Sequence, residues 1–306
     1  IGSNITTIGA SAFENCDGLT SVSLPNAVTF VGEDAFVDCD ELTSFHIGTR
    51  FKDHDGNFLA YCPKLTTITV ADGNTNGYMS VDNVLIHKVG NYDSYLIACA
   101  PGKTGDYEIP ISELTNNDVW IMDNCFASCD GLTSITFPKG KRYKLDKAIF
   151  DDTSSLRYVD MRNVDKFIDN DKNVINVNVD RNDPDNPFYG LDDNTIVYLP
   201  NGNTAADDEH NVFIMNDGNT AATAHYIFLE DDFDFSPKVP VTATGGVRYE
   251  RDINYVAETE EGYSAQGFTT YLPYPVTLNN ENVKVYAPST IENSTVTFSE
   301  VTTKQY

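Results

Sequence analysis

The sequence of 306 residues predicts a solenoid of short parallel β-strands followed by a small all-β, sandwich-like domain. The first observation is a 23-residue spacing in the first third of the chain, which is shared by Cys16, Cys39, Cys62, Leu19, Leu42 and Leu65. The second is that weaker copies of this unit return up to about residue 200. The third is a change after that point to strand-like runs between Asn, Asp, Gly and Pro turns. Such a period is typical of proteins whose units bury their apolar faces only by stacking.

Each unit contains the pattern Leu-x-x-Val-x-Leu of leucine-rich repeats, which predicts one short strand per coil. In the first unit we expect Leu19, Val22 and Leu24 to point into the stack, because side chains alternate across a strand. Pro25 ends that strand, since it has no N–H to continue a ladder. Residues 28–39 space their apolar side chains at three and four, which suits a short helical or 3₁₀ turn, so we expect turns or short helices on the back of the coil.

The repeat then continues with an insertion. Two apolar runs, 84–86 and 95–97, flank a polar turn, so we expect a hairpin near residues 78–105 that grows out of one coil. Later units occupy residues 126–138 and 150–161, and a degenerate last one ends at Pro200. This organisation predicts a solenoid over residues 1–202 and a linker over residues 203–211.

Residues 212–306 are expected to form the all-β domain, because short strand-like runs recur there between turn residues. The chain starts at Ile1 within a repeat and stops at Tyr306 within a strand-like run. We therefore expect this domain to be truncated at its C-terminus, and any signal peptide or anchor to lie outside the sequence.

The charge of the chain restricts its partners. Twenty Lys and Arg stand against 46 Asp and Glu, for a formal net charge of −26. Such a field repels phosphate backbones and anionic bilayers, so we expect no nucleic acid partner. No apolar run approaches the roughly 18 residues of a membrane span, so we expect no direct membrane insertion either. A solvated surface is the favoured explanation of the acidity, and attraction to a basic partner or to cations is the alternative.

The cysteines and histidines do not indicate chemistry. Cys16, Cys39 and Cys62 occupy one slot in successive coils, so we expect a buried column of free thiols, with a disulfide between neighbours as the alternative. The five histidines lie in different repeats and outside known hydrolase motifs. We therefore expect no catalytic residue, no cofactor and no enzyme.

One acidic loop resembles a calcium site by its spacing, in the residues Asp169, Asp171, Asn173 and Asp180. Val174 stands where an EF-hand loop requires Gly, and no helices flank the segment. A solvated loop is the favoured explanation, with calcium binding as a weak alternative.

A binding face is expected on the outward side of the strands. Most of its positions are Thr and Ser, which β-propensity on a solvated face explains. The exceptions are His46, Arg157, Tyr158, Asp160 and Tyr198. Tyr and Arg are enriched at energetic hot spots of interfaces, so the C-terminal end of this face is the candidate binding site.

Residues 8–22 and 124–135 share the sequence Cys-Asp-Gly-Leu-Thr-Ser, which is preceded by an adjacent Phe and Ala and followed by a β-branched residue. Both stretches closely resemble BspA-like, or Treponema-type, leucine-rich repeats. The resemblance covers about residues 1–202. It implies a surface-exposed or secreted protein of a host-associated anaerobic bacterium, of a kind grouped with adhesins for host or matrix proteins. Residues 268–276 resemble a β-domain that follows such repeats in gut-bacterial surface proteins.

The expected function is therefore non-catalytic recognition of a host or matrix protein, or of a glycan, by the solenoid sheet. A structural spacer that presents another domain is the alternative, and a glycan-processing enzyme is a weaker one. The sequence leaves the oligomeric state open.

Overall fold

The computed structural model describes residues 1–114, 117–203, 210–230, 235–250, 286–292 and 295–300. The chain divides into two compact units, Ile1–Arg248 and Tyr249–Tyr306. The first unit is a leucine-rich-repeat β-solenoid of about seven turns, which confirms the expected solenoid. The described residues contain no helix, so of the two expected forms of the back of the coils, turns or short helices, they show the turns.

The first three coils each contribute one strand to each of two parallel sheets. Their strands are β1 (Thr7–Ile8), β2 (Ser21–Ser23), β3 (Phe30–Val31), β4 (Ser44–Ile47), β5 (Asp53–His54) and β6 (Thr67–Val70). The Leu-x-x-Val-x-Leu segments form the sheet β2-β4-β6, in which Val22, Phe45 and Ile68 are in register and buried. The sheet β1-β3-β5 was not anticipated from the sequence.

The stretches expected to be helical are tight turns that bond from coil to coil. Phe13 N–H donates to the carbonyl oxygen of Ala35, and Phe36 N–H donates to that of Phe58, both at 2.9 Å. Asp34 and Asp38 have φ angles of +57° and +55°. Two left-handed residues in each turn prevent a helical ladder and direct backbone N–H groups to the neighbouring coil. The spacing of three and four in the sequence therefore reflects a repeated turn.

An antiparallel meander lies where the hairpin insertion is expected. It consists of β7 (Tyr78–Val81), β8 (Val84–Val89) and β9 (Asp93–Cys99). Strand β9 then pairs parallel with β11 (Asp118–Ile121), so the meander leads directly into the second stack of coils.

The second stack again has two sheets of strands. In addition to β11 it contains β10 (Gly105–Glu108), β12 (Leu132–Thr136), β13 (Arg142–Leu145), β14 (Tyr158–Asp160), β15 (Lys166–Ile168), β16 (Val174–Ile175), β17 (Ile196–Leu199), β18 (Val212–Met215), β19 (Ala222–Glu230) and β20 (Val241–Glu250). We call the sheet β10-β12-β14-β17-β18-β19-β20 the first sheet of this stack, and the sheet β16-β15-β13-β11-β9-β8-β7 the second sheet.

The expected linker at residues 203–211 does not separate two sheets. Strand β18 pairs parallel with β17, with Val212 opposite Val197, and β19 and β20 extend the same sheet. Phe213 is buried against Tyr198, with ring centroids 5.5 Å apart. The strands after the linker therefore extend the first sheet. As a result β17 is not an open edge with unpaired backbone groups.

The second unit is described only in a hairpin of β21 (Tyr286–Glu292) and β22 (Thr295–Glu300), which pair antiparallel. Residues 268–276, which carry the resemblance to a gut-bacterial β-domain, lie outside the described residues.

The cysteine column is buried as expected from the repeat. Cys39 and Cys62 are at most 1 % exposed, Cys16 is half-buried, and all six cysteines are free. Cys62 Sγ donates to the carbonyl oxygen of Phe36 at 3.3 Å, and burial raises the pKa of this thiol to about 12. These cysteines pack as small apolar side chains.

Candidate functional site

The hydroxyl groups of the first coils bond within the solenoid. Thr43 Oγ1 donates to the carbonyl oxygen of Thr20 at 2.9 Å, and Thr66 Oγ1 donates to that of Thr43 at 3.2 Å. His46 Nδ1 lies 2.8 Å from Thr69 Oγ1 of the next coil. His46 belongs to the sheet β2-β4-β6, whereas the other four candidate binding residues lie on or beside the first sheet of the second stack.

The structure does bring Tyr158, Asp160 and Tyr198 together. Strands β14 and β17 are neighbours, with Asp160 opposite Tyr198. A segment of the same chain then crosses them. Tyr158 OH donates to the carbonyl oxygen of Ser236, and Lys238 N–H donates to Tyr198 Oη, both at 2.6 Å.

The charges of this cluster are paired internally. Arg162 makes a forked contact with Asp160, at 2.8 Å from Nε to Oδ1 and 2.6 Å from Nη2 to Oδ2. Its guanidinium also lies 5.0 Å from the centre of the Tyr198 ring, and Lys238 Nζ lies 4.5 Å from that of Tyr158. Tyr198 is fully buried and Asp160 is 6 % exposed. The expectation that these two side chains are exposed for a partner is therefore wrong, because the protein's own chain covers them.

Arg157, the fifth candidate, is exposed next to this cluster. Its backbone N–H donates to the carbonyl oxygen of Thr133 at 2.9 Å, and its carbonyl oxygen accepts from Ile196 N–H at the same distance.

Two of the weak calcium candidates, Asp169 and Asp180, accept hydrogen bonds from backbone N–H groups of their own loops. Asp169 Oδ1 accepts the N–H groups of Asp171 and Asn173, at 2.9 and 2.8 Å. Asp180 Oδ1 accepts the N–H of Asn182 at 3.0 Å in a different loop. Across the described parts of the chain, no group of three or more His, Cys, Asp or Glu side chains converges as a metal site would require.

The second sheet of the second stack carries the most varied outward surface. Its strands β9, β11, β13 and β15 are parallel and in register. Val119, Tyr143 and Phe167 point into the core. The alternate positions therefore lie on the opposite side of the sheet, in one row of Asp93, Asp118, Arg142 and Lys166 and a second row of Tyr95, Trp120 and Lys144. Asp118 and Lys144 are nevertheless buried, because neighbouring side chains cover them.

The aromatic members of the second row contact one another. The Tyr95 and Trp120 rings are half-buried, with centroids 5.3 Å apart, and Lys144 Nζ lies 5.2 Å from the centre of the Trp120 ring. His87 continues the row on the neighbouring strand β8, with its ring centroid 6.2 Å from that of Tyr95. On its other side the His87 ring is stacked on the buried Tyr78, with centroids 4.0 Å apart. Among the described residues the indole N–H of Trp120 has no hydrogen-bond acceptor, so ring contacts hold this side chain in place.

The charged row is organised around Asp118. Arg142 binds it through Nε and Nη2, each at 2.7 Å, which raises the pKa of the guanidinium. Lys172 bridges Asp93 at 2.7 Å and Asp118 at 3.3 Å, and Lys144 pairs with Asp146. Lys166 is exposed beside Arg142. We refer to Tyr95, Trp120, Arg142, Lys144 and Lys166 as the outer patch.

Sequence reasoning missed the outer patch because it assumed one strand per coil. Two signals were present. The only tryptophan of the chain lies at position 120, and five of the twenty basic residues lie within positions 139–147, with one acidic residue among them. Such a concentration of Lys and Arg is unusual in a chain with a net charge of −26.

A shallow depression of about 350 Å³ lies next to β13, lined by Asp123, Leu145, Asp146, Lys147 and Asp185. Burial, and secondarily the charge of Asp146, raises the pKa of the Asp123 carboxyl. Asp146, which also lines the depression, is engaged by Lys144.

Residues 1–82 and 108–173 match the family model of the BspA type leucine rich repeat region, in six copies. The matched residues, 1–82 and 108–173, are therefore BspA-type leucine-rich repeats. The matched repeats supply Trp120, Arg142, Lys144 and Lys166 of the outer patch, whereas Tyr95 comes from the unmatched insertion.

Two solved structures share the fold of this chain at low sequence identity. A leucine rich cell surface protein from Faecalibacterium prausnitzii is 21 % identical, with a TM-score of 0.55, over 81 % of this chain and 58 % of its own. The pneumococcal vaccine antigen PcpA is 15 % identical, with a TM-score of 0.52, over 81 % of this chain and 66 % of its own. The chain thus spans less than two thirds of either protein. No curated protein sequence matches it.

None of the described segments forms a helix long and apolar enough to cross a membrane.

Proposed function

We propose that the BspA-type solenoid is a non-catalytic recognition module that binds a protein or a glycan outside the cell, in adhesion or host interaction. The outer patch carries this proposal. It holds two half-buried aromatic rings beside the half-buried Arg142 and the exposed Lys166 on neighbouring strands, whereas Tyr158 and Tyr198 of the other candidate face are bonded to residues 235–240 of the same chain.

Three properties of the patch support recognition. Trp, Tyr and Arg are the residue types that dominate interface hot spots. Strands of a stacked sheet hold their side chains more rigidly than loops do, which reduces the entropy lost on binding. Arg142 is oriented by its forked contact with the buried Asp118. An extracellular location for this chain is part of the proposal, and the cell surface description of the F. prausnitzii protein supports it.

The proposal is tested by measuring binding of the 306-residue chain to an array of extracellular-matrix proteins and of host and bacterial glycans. We expect saturable binding to at least one component, and its loss in a Trp120→Ala/Lys166→Ala variant. A Ser21→Ala/Ser23→Ala/Thr67→Ala variant is the control and should bind as the parent does. Those exposed side chains lie on the sheet β2-β4-β6 and not on the sheet that carries the outer patch.

A spacer role is the second candidate function. The coil-to-coil hydrogen bonds of Thr43 and Thr66 favour it for the first three coils, because those side chains serve the stack itself. Absence of binding to every array component would contradict recognition and support the spacer. Binding that survives in the outer-patch variant would contradict the assignment of the site.

A further inference from the structure

We infer that the outer patch binds an anionic polysaccharide, with carboxylate or sulfate groups on its cations and sugar rings on its aromatic side chains. This inference rests on the proposed function and names the class of ligand for it. Three observations support it: the distribution of charge, the position of the rings beside the cations, and the composition of the centre of the patch.

The first observation is a local excess of positive charge. Lys139, Lys141, Arg142, Lys144 and Lys147 lie on or next to β13, and Lys166 lies beside Arg142 on β15. Lys139, Lys147 and Lys166 are exposed and form no ion pair with any described residue. The remainder of the chain is strongly acidic, so a polyanion is attracted at this strip and repelled elsewhere. The ligand would therefore bind in one place.

The second observation is the row of rings across the neighbouring strands. Tyr95 and Trp120 lie on β9 and β11, immediately beside Lys144 on β13. An aromatic face binds the apolar side of a planar or ring-shaped ligand and tolerates polar groups at its edge. A sugar ring on the exposed part of Tyr95 and Trp120 would direct its acidic substituents towards Arg142 and Lys166 on the adjacent strands.

The third observation distinguishes a polysaccharide from a protein partner. The centre of a protein interface is depleted of charged residues and rich in apolar ones. Here Arg142, in the middle of the outer patch, is held in a charged group with the buried Asp118 and with Lys172. Charged side chains spread along β13 with rings to one side suit a linear ligand with regularly spaced negative charges.

The test measures binding of the 306-residue chain to heparin, hyaluronan and neutral dextran by isothermal titration calorimetry. We expect binding to heparin or hyaluronan and none to dextran. Because cations bind polyanions with release of counterions, the affinity should fall about tenfold or more between 50 and 300 mM NaCl. Affinity that is unchanged or higher at the higher salt concentration would contradict the inference.

Two charge variants and one aromatic variant locate the site. Lys139→Glu/Lys166→Glu changes only exposed side chains and should abolish measurable binding, whereas Arg50→Glu/Lys52→Glu, with the same change in net charge on exposed residues of an earlier coil, should retain it. Trp120→Ala should weaken binding about fivefold or more, because stacking is lost. Equal losses in the two charge variants would mean that the affinity reflects net charge alone, and would overturn the inference.

The outcomes separate this inference from the proposed function. Binding to an array protein through the outer patch, without binding to either anionic polysaccharide, overturns the polysaccharide and leaves the recognition module intact. Equal binding of dextran overturns the requirement for negative charge. Absence of binding to every component of the array overturns both the polysaccharide inference and the proposed recognition function.

Discussion

The turn residues Asp34 and Asp38 have backbone conformations that suit Asp, but their charged carboxylates destabilise the folded state. Both have positive φ angles, which Asp and Asn tolerate better than most residues. Burial raises the pKa of both carboxyls, and neighbouring acidic residues, Glu33 for the first and Asp40 for the second, raise it further. The ionised form of each side chain is therefore disfavoured in the folded state.

This leads to a prediction for Asp38→Asn. Asn keeps the tolerance for positive φ and removes the charge, so the free energy of unfolding at pH 7 should rise by roughly 0.2–1 kcal/mol, the range for a surface charge pair. Because the folded pKa of Asp38 is raised above 3.8, acidification protonates the folded state first and relieves the penalty as the pH falls through the folded pKa.

The measurement is urea unfolding of parent and variant from pH 7 to pH 3.5. The stabilisation should be greatest near neutral pH and should disappear towards the ordinary pKa of 3.8. A gain that persists at pH 3.5 would show that the backbone preference, and not the charge, is responsible.

The burial of a side chain was predictable from the sequence where the 23-residue repeat determines its position. Val22 and Leu24 are buried as the alternation requires, and Cys39 and Cys62 form the expected column. Tyr198 shows the limit of this reasoning. Its outward position on β17 indicates exposure, but Lys238, 40 residues later, covers it.

At the scale of the element, close stacking of the coils is visible at two glycines. A Cβ on Gly32 would lie 2.5 Å from the backbone nitrogen of Ala10 in the preceding coil, and one on Gly48 would lie 2.8 Å from the carbonyl oxygen of Leu24. Neither contact can be relieved by rotating a side chain, because both neighbours are backbone.

We therefore predict that Gly32→Ala lowers the free energy of unfolding by about 1–3 kcal/mol, the usual cost of overpacking. Gly9→Ala is the matched control. Gly9 occupies the same position one repeat earlier, and a Cβ there would have no atom within 4 Å. Chemical denaturation of both variants measures the difference. Equal destabilisation would mean that the backbone preference of Gly over Ala, and not contact between coils, sets the cost.

The elements themselves were only partly predictable. The Leu-x-x-Val-x-Leu pattern indicates the first strand of each coil, and β2, β4 and β6 form where it occurs. The second strand, such as Phe30–Val31 or Asp53–His54, is only two residues long in the first coils. So short a strand has no period of its own to detect, since its identity comes from pairing with the next coil.

At the scale of the whole molecule, the net charge of −26 opposes the compact state by self-repulsion. We predict that the midpoint of thermal unfolding rises by about 2–4 °C when ionic strength increases from low values to about 0.15 M, because screening then acts over about 8 Å.

Differential scanning calorimetry at several NaCl concentrations provides the measurement, and a second salt at equal ionic strength distinguishes screening from binding of a particular ion. A midpoint that stays constant or falls with salt would show that attractive pairs, such as Arg142 with Asp118, outweigh the repulsion.

The sequence alone was sufficient to predict the stacked coils, their inward side chains and the family resemblance, because each of these depends on a pattern that repeats every 23 residues. The tertiary structure decided three other features: the second strand of each coil, the covering of Tyr158 and Tyr198 by residues 235–240, and the assembly of the outer patch from β9, β11, β13 and β15. These features depend on contacts between segments that do not repeat. A periodic pattern determines which side of a strand faces the core, but contacts distant along the chain determine which outward surface remains open to a partner.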